Sequence, residues 1–514
     1  MRRKGTAIRV HRTLAPALLA VLALAGCTAD RPAGDEPVVA RVGEAVITAR
    51  EFETSYAFGF RHLKRGDDPR AAYLQHMIAE KLMALEGYRL GLDGDPDVRR
   101  QVESLRQELL VEQVFEREVN DRIVVTDEEI RAAMQEDHVR FRLRYLPAPT
   151  LDDARRLADE ARTAGFDAAL DRLLREDAER AWRREDFERP YLTRHDLDPT
   201  LLDAVADLPA GEVSAPVPYR GSFVVLQVAD VQREPVPPGA AERERYEQIV
   251  FLRKAKAEAR RFVGEMMQPL DVRVKPRPFR TLRDALRALY LDRQRQGLAV
   301  PANLFELAEA SEGVHAETLR ALAPDTLMTT RDGAWTVEAF LRAYPVDRYP
   351  LSTTGAEAFE SDLYDALGLT LRDRAFVAKA EAEGLGDAPE VRAELARWTD
   401  RWVYRALRSR LADTVQVSTT EARAYFERHA DYYRSEHADA AFEDVEEAVR
   451  RDARAARRDA GMADYLAHLR ERYPVAVEHP VLDTLAVDDA AGPDVLFFKG
   501  HTGRLAFPVV DPWW

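Results

Sequence analysis

Few reactive side chains are available to do chemistry in this 514-residue chain. Its only cysteine, Cys27, closes the run Leu24-Ala-Gly-Cys, so no internal disulfide forms and the body must be held by packing alone. The eleven histidines show neither HExxH nor any other tight ligand spacing, which argues against a structural metal. No glycine-rich phosphate loop is present, so neither ATP nor any other nucleotide is expected, and no cofactor is assigned. The many Asp and Glu pairs fall on helix faces and read as solvated surface.

The most specific stretch is LPAGEVSAPV, Leu208 to Val217, followed by the strand-like GSFVVLQV. Upstream of it lie a strand-like VRFRLRYL, an amphipathic LDDARRLADEARTAG and FDAALDRLL, an order that predicts a small α+β domain over residues 138–233. The LPAGEVSAPV stretch with its closing strand resembles the C-terminal half of a parvulin-type prolyl isomerase domain. Turning a prolyl bond needs no nucleophile. It needs an apolar seat for the ring and polar groups that favour a twisted imide over a planar one. The resemblance implies two pocket histidines, with a Met and a Phe seating the proline. In this sequence the first-strand histidine falls at Arg144 and the closing-strand histidine at Phe223. Leu197 and Leu201, flanking Pro199 in LDPTL, stand for Met and Phe. The family's Gly-Gly-Asp-Leu-Gly segment has no counterpart in REDFERPYL, and His195 reads as a surface residue. An apolar seat is expected, with the polar machinery lost, and no catalytic residue is assigned.

Around that domain the chain repeats itself. GLDGDPDVRRQV from Gly91 returns as GLGDAPEVRAEL from Gly384. VVTDEEIRAAM, with Thr126 and Glu129 spaced as a capping box, returns as VSTTEARAYF with Ser418 and Glu421. EAVITAREF matches DGAWTVEAF, Thr336 standing for Thr48. The helix after Pro96 places Val98, Val102, Leu105 and Leu109 at helical spacing, and that after Pro389 places Val391, Leu395, Trp398 and Trp402 likewise. Each series ends in a long charged helix and a short V-x-V strand. The expected architecture is mainly α: two helical bodies, one interrupted by the α+β domain, each packing its last helix onto its own first helices. In order this gives a front at 38–137, the guest domain at 138–233, a back helix and strand at 240–276 and a connector at 280–324. A second front at 325–435, its back helix and strand at 440–480 and a tail at 481–514 follow. Phe340, Tyr425, Trp398 and Trp402 are core or cleft residues, core being the plainer assignment. The aromatic tail is expected to return onto a core, the alternative being a client-like or partner-binding tail. With its flanks, the chain resembles the SurA and PrsA-like extracytoplasmic folding factors, helical chaperones with an inserted parvulin domain.

Residues 1–27 begin with Arg2, Arg3 and Lys4, and LAPALLAVLALAG follows, long enough for a signal peptide and short for a membrane span. Leu24 to Cys27 resembles a lipobox, which implies acylation of Cys27 and a membrane anchor, with 28–37 as a tether. Thr28 after the cysteine permits sorting to an outer membrane. A formal net charge of −15 disfavours a nucleic-acid partner. Three functions fit: a lipid-anchored, periplasm-facing chaperone for unfolded exported polypeptides with a degenerate isomerase pocket; an active prolyl isomerase; or a structural envelope lipoprotein with one dedicated partner.

Overall fold

The structure, a computed structural model, describes residues 36–176, 182–219, 222–234, 239–298, 304–346, 349–434, 441–487, 507, 508 and 510. The expected signal peptide, Cys27 and all but the end of the tether lie outside these residues, as does most of 481–514. Among the described residues no helix is long and apolar enough to cross a membrane.

The first half opens with strands β1 (Val38–Val42) and β2 (Ala45–Thr48), turning at Gly43. Helix α1 (Ala49–Ala57) starts where the Thr48 hydroxyl accepts from the Glu51 amide. Helix α2 (Pro69–Arg89) follows, with Leu74, Ile78 and Leu82 fully buried along one face. Gly91 then turns the chain at φ 72°, and α3 (Pro96–Glu118) begins at a proline that needs no hydrogen-bond acceptor. A side chain at Gly91 would meet nothing within 4 Å, so the backbone angle alone favours glycine there. Helix α4 (Asp127–Glu136) carries a complete Thr126–Glu129 capping box.

The guest domain comes next: β3 (Val139–Ala148), α5 (Leu151–Thr163), α6 (Phe166–Glu176), β4 (Leu192–Thr193), α7 (Pro199–Val205), β5 (Val217–Tyr219) and β6 (Ser222–Arg233). Its strands form one antiparallel sheet in the order β4-β3-β6-β5. The chain rejoins the helical body through α8 (Ala240–Met267) and β7 (Arg273–Val274). Helices α9 (Pro276–Arg295), α10 (Leu304–Ala310) and α11 (Val314–Leu322) connect to the second half.

That half runs through β8 (Thr326–Thr330), β9 (Gly333–Thr336), α12 (Val337–Ala343) and α13 (Ala356–Ala382). Gly384, at φ 68°, repeats the turn of Gly91. Then come α14 (Pro389–Asp413), α15 (Thr419–Arg428), α16 (Ala430–Arg434), α17 (Phe442–Arg472), β10 (Val475–Val477) and α18 (His479–Thr484).

The expected packing of each last helix onto its own first helices holds only for the front part of each helix; the rear part and the final strand cross to the other half. Strand β10 pairs with β1, Ala40 facing Val477, while β7 pairs with β8, Met328 facing Val274. The two halves therefore exchange their final strands. Helices α3 and α14 pack on each other, and then α3 runs on along α13 while α14 runs along α2. The back helices divide their length. The front part of α8 stays on α4 through Tyr246 and Val250, and its rear part brings Phe262 to Phe376 of α13. In the same way α17 starts on α15 and ends with Met462 and Leu469 in the core built on α2. Each lobe is thus closed by the other half of the chain, because the rear strand of one half completes the front hairpin of the other.

Trp398, Trp402 and Phe340 are core residues, and Tyr425 is half-exposed. From the tail, Phe507 lies against Phe58 at 4.5 Å and Val510 is buried in the core of the first lobe.

Candidate functional site

Alternation along β3 and β6 gives the guest sheet two faces. The register sets Leu143 opposite Val228, Tyr145 opposite Leu226 and Pro147 opposite Val224. Between these, Arg144 lies opposite Gln227, Leu146 opposite Val225 and Ala148 opposite Phe223. Opposed residues share a face of the sheet, so the two sets point to opposite sides. Leu146, Ala148 and Val225 meet α5 and α6, whereas Leu143, Val224, Leu226 and Val228 meet α7.

This arrangement separates the residues that the sequence placed in one pocket. Leu197 and Leu201 pack on the α7 face, with Leu208 and Val217. Pro199 opens α7 and is exposed, its helix capped by Asp198, which accepts from the Thr200 amide. Arg144 and Phe223 lie across the sheet, on the α5/α6 face. The Arg144 guanidinium stacks 4.5 Å from the Phe166 ring, pairs with Asp167 and donates to Oε1 of Gln227 at 3.3 Å. Hydrogen bonding from Arg144 and then Arg184 holds the Asp167 carboxyl below its usual range. Arg144 is therefore a neutralised strut between strand and helix, and the five positions do not form one constellation. Leucines 197 and 201 remain as an apolar surface flanked by Tyr219 of β5.

The Gly-Glu-Val-Ser stretch has a structural explanation. The Gly211 amide donates to the Val228 carbonyl at 2.7 Å, and that of Ser214 to the Leu226 carbonyl at 2.8 Å. The buried Ser214 hydroxyl accepts from the Leu226 amide at 3.0 Å, while Arg162 donates to the Ser214 carbonyl at 2.7 Å. The stretch thus lays an irregular edge along β6 and ties it to α5.

His195 does not sit at the surface as its polar neighbourhood suggests: its side chain is only 7% exposed. It lies on the loop between β4 and α7, against the helical body. Nε2 donates to the Ala133 carbonyl of α4 at 3.2 Å, and Nδ1 accepts from Nη2 of Arg253 on α8 at 2.8 Å. One nitrogen donating and the other accepting defines a neutral imidazole. Oδ1 of Asp137, a fully buried residue, lies 3.6 Å from Nε2 and has no hydrogen-bond partner, while Oδ2 accepts from the Tyr246 hydroxyl at 2.9 Å. Burial, reinforced by that bond to Asp137, pushes the Tyr246 hydroxyl above its ordinary range. Sequence reasoning missed this cluster because its members lie far apart along the chain and each looks like an ordinary helix-face residue.

Among the described residues no three His, Cys, Asp or Glu side chains gather as a metal site. Residues 125–260 match the family model described as the PPIC-type PPIASE domain. This part of the chain is a PpiC-type, or parvulin, peptidyl-prolyl isomerase domain by family. The match reaches past the guest sheet into α4 and most of α8, the two helices that His195 touches. No curated protein matches the chain significantly. Among solved structures it is similar to a SurA-like chaperone of Campylobacter jejuni from a study of PEB4 and Cj1289. That similarity has 16% identity, covers 46% of this chain and 100% of that one, and gives a TM-score of 0.21. It is also similar to the PrsA peptidylprolyl isomerase of Bacillus anthracis, with 12% identity, 37% and 96% coverage and a TM-score of 0.20. For PrsA of Bacillus subtilis the figures are 17%, 47% and 96%, and 0.15.

Proposed function

We propose that this protein is a lipid-anchored extracytoplasmic chaperone that binds unfolded exported polypeptides, and that its parvulin domain is a binding module without substantial isomerase activity. Support for the second part comes from one observation: Arg144 and Phe223, standing where the family keeps histidines, lie across the sheet from Leu197 and Leu201. With both positions on the opposite face, neither can favour a twisted prolyl imide over its planar form at the apolar α7 surface. Chaperoning needs no active site. Apolar clefts between helices take up extended segments transiently, and an acidic exterior keeps chaperone and client soluble.

The matched order of elements in the two halves supports an internal duplication, with the parvulin domain inserted in one copy only. Acylation of Cys27 supplies the membrane anchor in this proposal, and 28–37 the tether.

A protease-coupled isomerisation assay on the full chain tests the enzymatic part, with background turnover expected. Suppression of aggregation of unrelated unfolded proteins tests the rest. Turnover far above background would restore the active isomerase. Failure to protect any unfolded protein would favour a dedicated envelope partner instead.

A further inference from the structure

A domain joined to its host by two chain crossings and a small contact is ordinarily free to swing. Here the ties from the guest domain to the helical body gather on one loop. His195 bridges Ala133 of α4 and Arg253 of α8, while its neighbour Asp196 lies 3.9 Å from Arg245 of α8. The imidazole also meets the Tyr246 ring edge-on at 6.0 Å, beside the buried Asp137. The histidine is spent on both nitrogens, one toward each helix of the hairpin.

The second half supplies an internal control, because strand registers align the halves without reference to the strap. Val274 faces Met328 as Val477 faces Ala40, and Thr126 caps α4 as Ser418 caps α15. Counting from these points, Lys254 corresponds to Arg457, and each pairs with the box glutamate of its own front helix, Glu129 or Glu421. By the same count Tyr246 corresponds to Val449, Arg253 to Ala456 and Asp137 to His429. The shared ion pair is kept in both halves, while the groups facing His195 occur only in the half that bears the guest domain.

We infer that His195 is a positioning residue that straps the parvulin domain to the α4–α8 hairpin, so that the domain is carried as a fixed arm. The strap also sets the aim of the apolar surface, because Leu197 follows His195 by two residues and Leu201 by six. The inference concerns the geometry of the guest domain and rests on the proposed chaperone activity only for its use. Spin labels at Asp203→Cys on α7 and Lys256→Cys on α8, in the full chain with Cys27→Ser, read the angle between domain and body directly. One narrow distance distribution is expected. His195→Ala and Arg253→Ala should each broaden it, whereas His195→Gln, which keeps a donor and an acceptor, should leave it narrow. Arg253 is exposed, so its truncation leaves the fold intact, and circular dichroism checks the histidine variants. A broad distribution in the parent, or a narrow one surviving both alanine substitutions in folded protein, overturns the strap. Distances are read without any client, so loss of the chaperone function would not count against it.

Discussion

The two lobes share one backbone plan and hold their exchanged helices by different balances of charge and apolar packing. In the lobe built on α2, the partner helix α14 buries Trp398, Trp402, Val403 and Leu407 in the core and adds partly buried charge contacts. Lys81 lies 2.9 Å from Asp400 and 3.3 Å from Glu51, Tyr88 donates to Asp400, and Arg401 pairs with Glu80. Glu86, nearly buried, accepts from Arg472 and Tyr473 of the returning α17 segment, as well as from Arg89. The helices come so close that a methyl at Gly87 would stand 2.4 Å from the Val403 side chain. In the lobe built on α13 the partner helix α3 is gripped by rings and aliphatics and by ion pairs nearer the surface, Arg106 with Glu381, Arg117 with Glu383 and Lys379 with Glu118. Phe115 and Phe262 both meet Phe376, with Leu110 and Ala380 packed around them. Both seams therefore combine an apolar core with ion pairs and differ in how deeply the charges are buried, so they should respond differently to acid and equally to loss of core volume.

The largest effect follows from the exchange itself. Truncating Phe376→Ala or Trp402→Ala should each cost about 3–5 kcal/mol, the usual range for a large buried ring. Because each lobe contains helices from both halves, either substitution should shift one common unfolding transition. Chemical denaturation followed by far-UV circular dichroism and by tryptophan emission checks this. Two transitions, with each variant moving only one of them, would break the idea that the halves stabilise each other.

Acid should sharpen the contrast. Hydrogen bonding from Arg89, then from Tyr473 and Arg472, lowers the Glu86 carboxyl from 4.5 to about 2 despite its burial. A carboxyl depressed in the folded state contributes stability above its unfolded value and loses it as pH falls toward the folded one. The first lobe should therefore weaken between about pH 4.5 and pH 2, seen in emission from Trp398 and Trp402. Glu86→Gln should remove most of that dependence; an unchanged acid profile would show that the charged seam is not what acid attacks.

The smallest effect tests how alike the halves are. Thr126→Ala and Ser418→Ala each delete a complete capping box, and each should cost about 1 kcal/mol. Thermal unfolding should give matching shifts. Unequal values would mean that one of the front tips, α4 or α15, is supported mainly by its neighbours.

Much of the local structure was legible because local rules govern it. The turns at Gly91 and Gly384 require a left-handed backbone angle, the caps require a short polar side chain, and Leu74, Ile78 and Leu82 show a helical period. The leucines flanking Pro199 could be read as apolar from their type. The separation of Arg144 from Leu197 could not, because a one-residue change of parity in a strand reverses the face. His195 was misread for a related reason. Its loop is polar on either side, and its burial comes from helices roughly sixty residues away along the chain in each direction.

By itself the sequence determined the helices, their caps and hinges, and the long strands of the guest sheet. Each of these is set by side-chain type and spacing within a few turns of chain. Tertiary structure alone decided which half closes which lobe. Equivalent helices carry apolar residues at the same spacing, so either could fill either groove, and only the path of the chain and the pairing of β1 with β10 and β7 with β8 choose between them.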